Sequence, residues 1–136
     1  MIDVIVNIDV PDLPAARRFY EDGLGFVFER RLFEGSVLEL KGGGTAVYLI
    51  ERGAGSMAVP GRGIKRDYRD HWTPVHLDVI VKDIDVALER ALDAGATLPG
   101  SVSDFDWGRL APLRDPFGHG VCLLQFRGGG YDLVEG

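Results

Sequence analysis

The chain has 136 residues, of which 46% are hydrophobic and 26% charged, and its net charge is −6. That length suits one domain, and that composition can bury a real core. The acidic balance excludes the clustered basic face that phosphate contacts need, so nucleic acid is not expected as a partner.

No apolar run reaches the roughly 18 residues that would suggest a membrane span. The start, Met1-Ile2-Asp3-Val4, lacks the basic opening and apolar stretch of a signal peptide. A single cysteine, Cys122, excludes an internal disulfide framework and a cysteine-rich zinc site. A reducing, cytoplasmic setting is the expectation.

In chain order, Val4, Val6, Ile8 and Val10 alternate with Ile5, Asn7 and Asp9, a period of two that predicts a strand. Asp12 then stands where a short carboxylate can accept the free N–H groups of a first helical turn. Leu13, Ala16, Tyr20 and Leu24 follow on one helical face, and Gly25 supplies the stop. Short strands are predicted at Phe26–Leu32, Ser36–Lys41 and Thr45–Glu51, with Glu34-Gly35 and Gly42-Gly43-Gly44 as turns. The triple glycine is no phosphate loop, because no Lys-Ser/Thr follows it at a helix start.

Residues 52–73 carry Arg52, Arg62, Lys65, Arg66 and Arg69 against Asp67 and Asp70, a local excess of positive charge in an acidic chain. A long connection of this kind is a solvated linker, a lid, or an arm for a second subunit. Strand alternation resumes at Val75, Leu77, Val79 and Val81. Asp83 caps a second helix, whose stripe is Ile84, Ala87, Leu88, Ala91 and Leu92 and which stops at Gly95. Strands are predicted at Thr97–Asp104, Arg109–Arg114 and Gly120–Phe126, with Trp107-Gly108 and Asp115-Pro116-Phe117-Gly118 as turns. The tail from Gly128-Gly129-Gly130 is expected to fray.

The segment Val4–Ala16 is echoed by Val75–Ala87, at a constant offset that carries Val4 onto Val75 and Asp12 onto Asp83. The order is β-α-β-β-β twice, an α+β architecture of two tandem modules: 1–51, then a linker 52–73, then 74–127, with a tail 128–136. A helix covers one face of each sheet and leaves the other bare. Pairing the modules about a pseudo-twofold axis gives a curved mixed sheet around a central cleft.

Strand parity assigns the cleft residues. The first strand contributes Ile5, Asn7 and Asp9, and the fifth contributes His76, Asp78 and Ile80. Val47, Leu49 and Glu51 come from the fourth strand, and Cys122 and Leu124 from the eighth; Trp107 and Trp72 would flank the mouth. A mostly apolar pocket with a few polar groups is the usual small-molecule site. Asp9, Glu51 and Asp78 favour a cationic or hydrogen-bond-donating ligand. His76 is either a core histidine or an acid/base group that Asp78 orients. Cys122 reads as a small buried hydrophobe or a reactive thiol, and His119 as a turn or surface residue.

Five segments carry a family resemblance: Val10-Pro11-Asp12-Leu13, Phe19-Tyr20, Leu24-Gly25-Phe26, Val75-His76-Leu77-Asp78-Val79 and Asp115-Pro116-Phe117-Gly118-His119. In this order and spacing the chain resembles the vicinal oxygen chelate superfamily, which holds glyoxalase I, bleomycin-resistance proteins and extradiol dioxygenases. The resemblance implies homodimers, and in metal-binding members a divalent ion (Zn, Ni, Mn or Fe) held by one ligand from the first and last strand of each module. Those positions read Ile5, Leu49, His76 and Cys122 here. Isoleucine and leucine cannot ligate a cation, and a catalytic site needs about three protein ligands. No cofactor is therefore expected; a divalent metal is the alternative, held by His76 and Glu51 if the fourth strand slips its register by two.

Three readings follow. The first is a metal-independent small-molecule-binding protein like the resistance members. The second is a lyase, isomerase or dioxygenase built around His76. The third is a module whose cleft serves dimer assembly or regulation.

Overall fold

A computed structural model describes residues 1–71 and 73–136. Trp72, expected at the cleft mouth, lies outside the described residues. The doubled pattern is present. Strand β1 (Ile5–Val10) leads to helix α1 (Leu13–Arg18) and then to β2 (Val27–Leu32), β3 (Val37–Gly42) and β4 (Thr45–Glu51). A small hairpin follows, β5 (Met57–Val59) with β6 (Ile64–Lys65). The second unit is β7 (Leu77–Ile80), α2 (Ile84–Asp93), β8 (Ser103–Phe105), β9 (Gly108–Arg114) and β10 (Gly120–Phe126). The two four-stranded mixed sheets have the same order, β1-β4-β3-β2 and β7-β10-β9-β8. In each, the first and last strands of the unit pair in parallel. Among the described residues, no helix is long and apolar enough to cross a membrane.

Local chemistry explains the elements. Asp12 Oδ1 accepts from the Ala15 N–H at 3.0 Å, and Asp83 Oδ1 accepts from Asp85 and Val86, so both predicted caps form. Gly25 and Gly95 have φ of +80° and +116°, the left-handed backbone that ends a helix at little steric cost. The first helix does not run regularly to Gly25. After Arg18 it widens into a π-turn over Phe19–Gly23, which buries Phe19 and Tyr20 together. The second strand of the second unit is also shorter than the predicted Thr97–Asp104: Thr97 makes only an isolated bridge to Arg114, and pairing resumes at Ser103.

One core serves both halves. Val10, Leu38, Leu40, Val47, Leu49, Phe19 and Tyr20 pack with Ile84, Ala91, Ala111, Leu113 and Leu123, all at most 3% exposed. Burying one large apolar side chain of this kind contributes about 1.5–3 kcal/mol. Polar contacts also cross between the halves. Arg18 donates to the Asp93 carbonyl (3.1 Å), Arg90 donates to the Asp22 carbonyl (2.6 Å), and the Tyr20 hydroxyl donates to Asp115 Oδ2 (2.8 Å). Each arginine satisfies a carbonyl left free at the end of the other half's helix. Burial and the Asp115 carboxylate push the Tyr20 hydroxyl well above its usual pKa. Asp115 is 2% exposed and also accepts from the Phe117 and His119 N–H groups.

Two expectations are revised. The tail is ordered: Gly130–Val134 forms a 3-10 turn that sets Tyr131 against Phe126 and Trp107 (ring centroids 4.8 and 5.0 Å). These aromatic contacts hold it down despite the three glycines before it. The 52–73 segment also has structure. Arg66 donates to Asp9 Oδ2 (2.8 Å) and to the Met57 carbonyl (2.7 Å), which ties the hairpin to β1.

Two predictions test this packing. Tyr20→Phe leaves one Asp115 oxygen without its donor and is expected to lower stability by about 1–3 kcal/mol, read as a lower urea midpoint; an unchanged midpoint would remove the bond from the core's essentials. Arg66→Ala breaks a partly exposed ion pair and is expected to change global stability by less than about 1 kcal/mol. Limited proteolysis within 53–66 should nevertheless accelerate clearly.

Candidate functional site

The ladder registers decide which side chains share the face that the helices leave bare. Val6, Ile8 and Val10 pack on the helices, so Ile5, Asn7 and Asp9 take the other face of β1. Parallel pairing puts Asn7 opposite Tyr48 and Asp9 opposite Ile50. The fourth-strand contributors are therefore Ala46, Tyr48 and Ile50. Leu49 pairs with Ile8 and is fully buried in the core, and Val47 is buried beside it. Glu51 shares their parity and ends the strand exposed, opposite Val10. The reason lies in the loops. Cys122 pairs with Asp78, whose counterpart in the first unit is Asn7, and Asn7 pairs with Tyr48. Tyr48 therefore corresponds to Cys122, an offset longer by three positions than the one that carries Val4 onto Val75. An odd difference turns every side chain over.

In the second unit the expected set comes together. Leu77 and Val79 point to the core side, so His76, Asp78 and Ile80 lie on the bare face with Cys122 and Leu124. His76 Nε2 is 3.2 Å from Asp78 Oδ1, and both side chains are about half exposed (50% and 44%). The ligand atoms of His76, Asp78 and Cys122 all lie within 4.8 Å of one another. Burial, then the charge of Asp78 and a hydrogen bond to it, push the Cys122 thiol up to about 11. Leu124 is almost wholly buried (2% exposed), so it supplies wall rather than contact surface.

A cavity of about 330 Å³ opens where β1 meets β7, with Asn7, Asp9, Tyr20, His76 and His119 in its lining. A second, of about 430 Å³, holds Phe26, Thr45, Asp78 and Ile80. Val6 and Leu77 line both, so the two openings follow one seam between the units. Trp107 is not brought to this seam. It stacks on Phe105 (4.9 Å, 6° between planes) at the β8–β9 turn, on the sheet edge opposite β7.

Four residues of the site were not assigned to it from the sequence. His119 Nε2 lies 2.7 Å from the Asp9 carbonyl, so the turn histidine joins the two halves at the cavity wall. Its signal was the preceding Asp115 turn, whose carboxylate bonds the His119 N–H and so fixes where the ring goes. Tyr48 is the direct cross-strand partner of Glu39, which accepts from Arg30 (3.2 Å). These neighbours, Tyr48 first and then Arg30, hold the Glu39 carboxyl below its usual pKa. Counting the loop-length difference would have found Tyr48. Tyr20 had no local signal, nor had Arg114, which lines a third cavity with His76 and Cys122.

The four positions at which a divalent metal is expected by resemblance are therefore Ile5, Tyr48, His76 and Cys122. Isoleucine has no donor atom, and the neighbouring Glu39 raises the pKa of the Tyr48 hydroxyl, which disfavours the phenolate a cation would need. Two donors remain, one from each of two strands in the same unit. That set does not fit a metal shared between the halves.

Residues 5–124 match a family model described as a glyoxalase-like domain. An uncharacterized protein of Mycobacterium bovis is 46% identical over 54 residues, which is 39% of this chain and 36% of that protein. An uncharacterized protein of Mycobacterium tuberculosis matches with the same identity over 54 residues, 32% of its own length. The matched stretch thus spans about a third of the curated relatives.

Among solved structures, a glyoxalase/bleomycin resistance protein/dioxygenase family enzyme from Burkholderia phytofirmans superposes with a TM-score of 0.71 at 18% identity, covering 93% of this chain and 100% of that one. A hypothetical protein from Staphylococcus aureus gives 0.70 at 20% identity, over 92% and 97%. At these identities the likeness shows the fold.

The thiol yields a prediction. Cys122, with its pKa near 11, should alkylate more slowly than a free cysteine at pH 8, because less thiolate is present. Asp78→Asn removes a negative neighbour, lowers that pKa and should speed the reaction; equal rates in both proteins would refute the assigned cause.

Proposed function

The chain belongs to the glyoxalase-like domain family within the vicinal oxygen chelate superfamily, and from that premise we propose that it is a small-molecule-binding protein whose seam cavity works without the family's shared four-ligand metal centre. The observation that carries this reading is the pairing of a preformed cavity of about 330 Å³ with Ile5 and Tyr48 at two of the four inherited positions. Apolar walls at Val6, Ile8 and Leu77, with convergent polar groups at Asn7, Asp9, His76 and His119, form the usual composition of such a site. Asp9 is paired with Arg66, and Asp78 remains the half-exposed acid beside the seam. The ligand class this favours carries a cation or hydrogen-bond donors on an apolar body. A cytoplasmic homodimer completes the reading. The lone thiol suits a reducing compartment, and exposed Ile5, Val27, Val75 and Ile80 offer apolar surface for a second copy.

A second reading, a lyase, isomerase or dioxygenase built on His76, is favoured by one contact. Asp78, 3.2 Å from His76 Nε2, is placed to orient the imidazole and to stabilise it when it takes a proton. The first reading is preferred because the acid on the opposite wall, Asp9, is already paired with Arg66.

The test is a ligand-screened thermal melt of chelator-treated protein. A compound that binds only the folded state at about 100 times its Kd adds about 2.7 kcal/mol, or several degrees of Tm. Shifts that survive chelation and shrink in Asn7→Ala support the reading. Shifts that vanish with chelator, or are unaltered by Asn7→Ala, count against it.

A further inference from the structure

The failure of the shared metal set leaves three donors gathered in one half. We propose that the second unit alone carries a site for a borderline-soft divalent cation, zinc(II) by its chemistry, with His76 Nε2, one Asp78 carboxylate oxygen and Cys122 Sγ as its protein ligands. The site goes beyond the small-molecule reading and does not rest on it, although both draw on His76 and Asp78. It also differs from the inherited arrangement, which takes donors from both halves and has no place for Asp78.

Geometry carries the assignment. Cys122 and Asp78 are direct partners in the parallel β10–β7 ladder, and His76 lies two residues before Asp78 on the same face. Two strands thus present three donors whose ligand atoms are all within 4.8 Å of one another. Tetrahedral zinc, with bonds of about 2.0–2.3 Å, needs donors roughly 3.3–3.8 Å apart. The His76–Asp78 contact of 3.2 Å is already close to that spacing, and no pair of donors is more than 4.8 Å apart.

The donor set is selective. Thiolate and imidazole favour zinc over magnesium or calcium, which take oxygen ligands. Three protein ligands leave the fourth position open. Beside the donors lies a cavity of about 280 Å³ whose lining includes Thr73, His76, Pro99, Arg114, Gly120 and Cys122. Gly120 keeps the room: a Cβ there would stand 3.0 Å from both His76 Cβ and Thr73 Oγ1. On binding, the Cys122 thiol gives its proton to solvent and Sγ takes the cation, with no change of oxidation state.

The experiment is a cobalt(II) titration of the reduced, chelator-stripped full chain, followed by displacement with zinc. One cobalt per chain with a thiolate-to-cobalt charge-transfer band, displaced by one zinc, is expected. Asp78→Asn should weaken zinc at least about tenfold, a loss that even outer-shell changes commonly produce, and Cys122→Ser should abolish the band. His71→Ala should leave both unchanged; it removes one ring of the His71–His119 pair (5.6 Å between centroids), the other neighbouring imidazole ligands. Absence of the band, or zinc binding unaltered in Asp78→Asn or lost in His71→Ala, overturns the proposal. Should Cys122→Ser not fold, the half-exposed Asp78 variant decides. Ligand-dependent melting in chelator is read separately, so the failure of either idea leaves the other standing.

Discussion

The bond from Tyr20 to Asp115 is the contact on which the arrangement of the two halves depends. It joins residues 95 apart in sequence and is fully buried. Asp115 is a saturated acceptor: one oxygen takes the tyrosine, and the other takes the N–H groups of Phe117 and His119. A buried carboxylate without such partners would cost several kcal/mol. The turn before β10, the position of His119 at the cavity wall and the π-turn that buries Tyr20 are therefore one constraint. The seam where the cavities open is the surface that this constraint holds at a fixed width.

Much of the fold was legible. Period-two alternation located β1 and β7, and the capping aspartates Asp12 and Asp83 located both helices, because these signals are local. The echo between Val4–Ala16 and Val75–Ala87 gave the doubled topology. What was not legible was long-range. Parity on β4 depends on how much chain separates β1 from β4, and a difference of three positions between the halves moved Leu49 from the cleft to the core and Tyr48 the other way. Trp107 read as a cleft residue because aromatic side chains often line sites; the stacking of Phe105 and the packing of Tyr131 hold it elsewhere. The hairpin inside 52–73 had no clear alternation, and its anchor on Asp9 is tertiary.

The halves share a scaffold and have diverged in chemistry. The bare face of the first carries the Arg30–Glu39–Tyr48 chain and the Asp9–Arg66 pair, in which each charge is matched within reach of its own sheet. The second carries His76, Asp78 and Cys122, a set of donors with spare lone pairs. Apart from Asn7, the first face has matched its polar groups with one another, and the second has kept its own available. Any chemistry at the seam is therefore expected to be one-sided.

The arginine contacts between the helices have a consequence for how such a chain arises. The two carbonyls that accept, Asp22 and Asp93, are related by the same offset as Val4 and Val75, and their donors Arg18 and Arg90 by one position more. Reciprocal contacts of this form are what two identical modules make across a twofold axis. The Tyr20–Asp115 bond breaks that form, since the counterpart of Tyr20 in the second unit is Ala91, which offers no hydroxyl. The helix interface keeps the geometry of an association between equals, whereas the buried tyrosine gives it a direction. Neither half could now exchange places with the other, and separate copies of one half could no longer rebuild the whole.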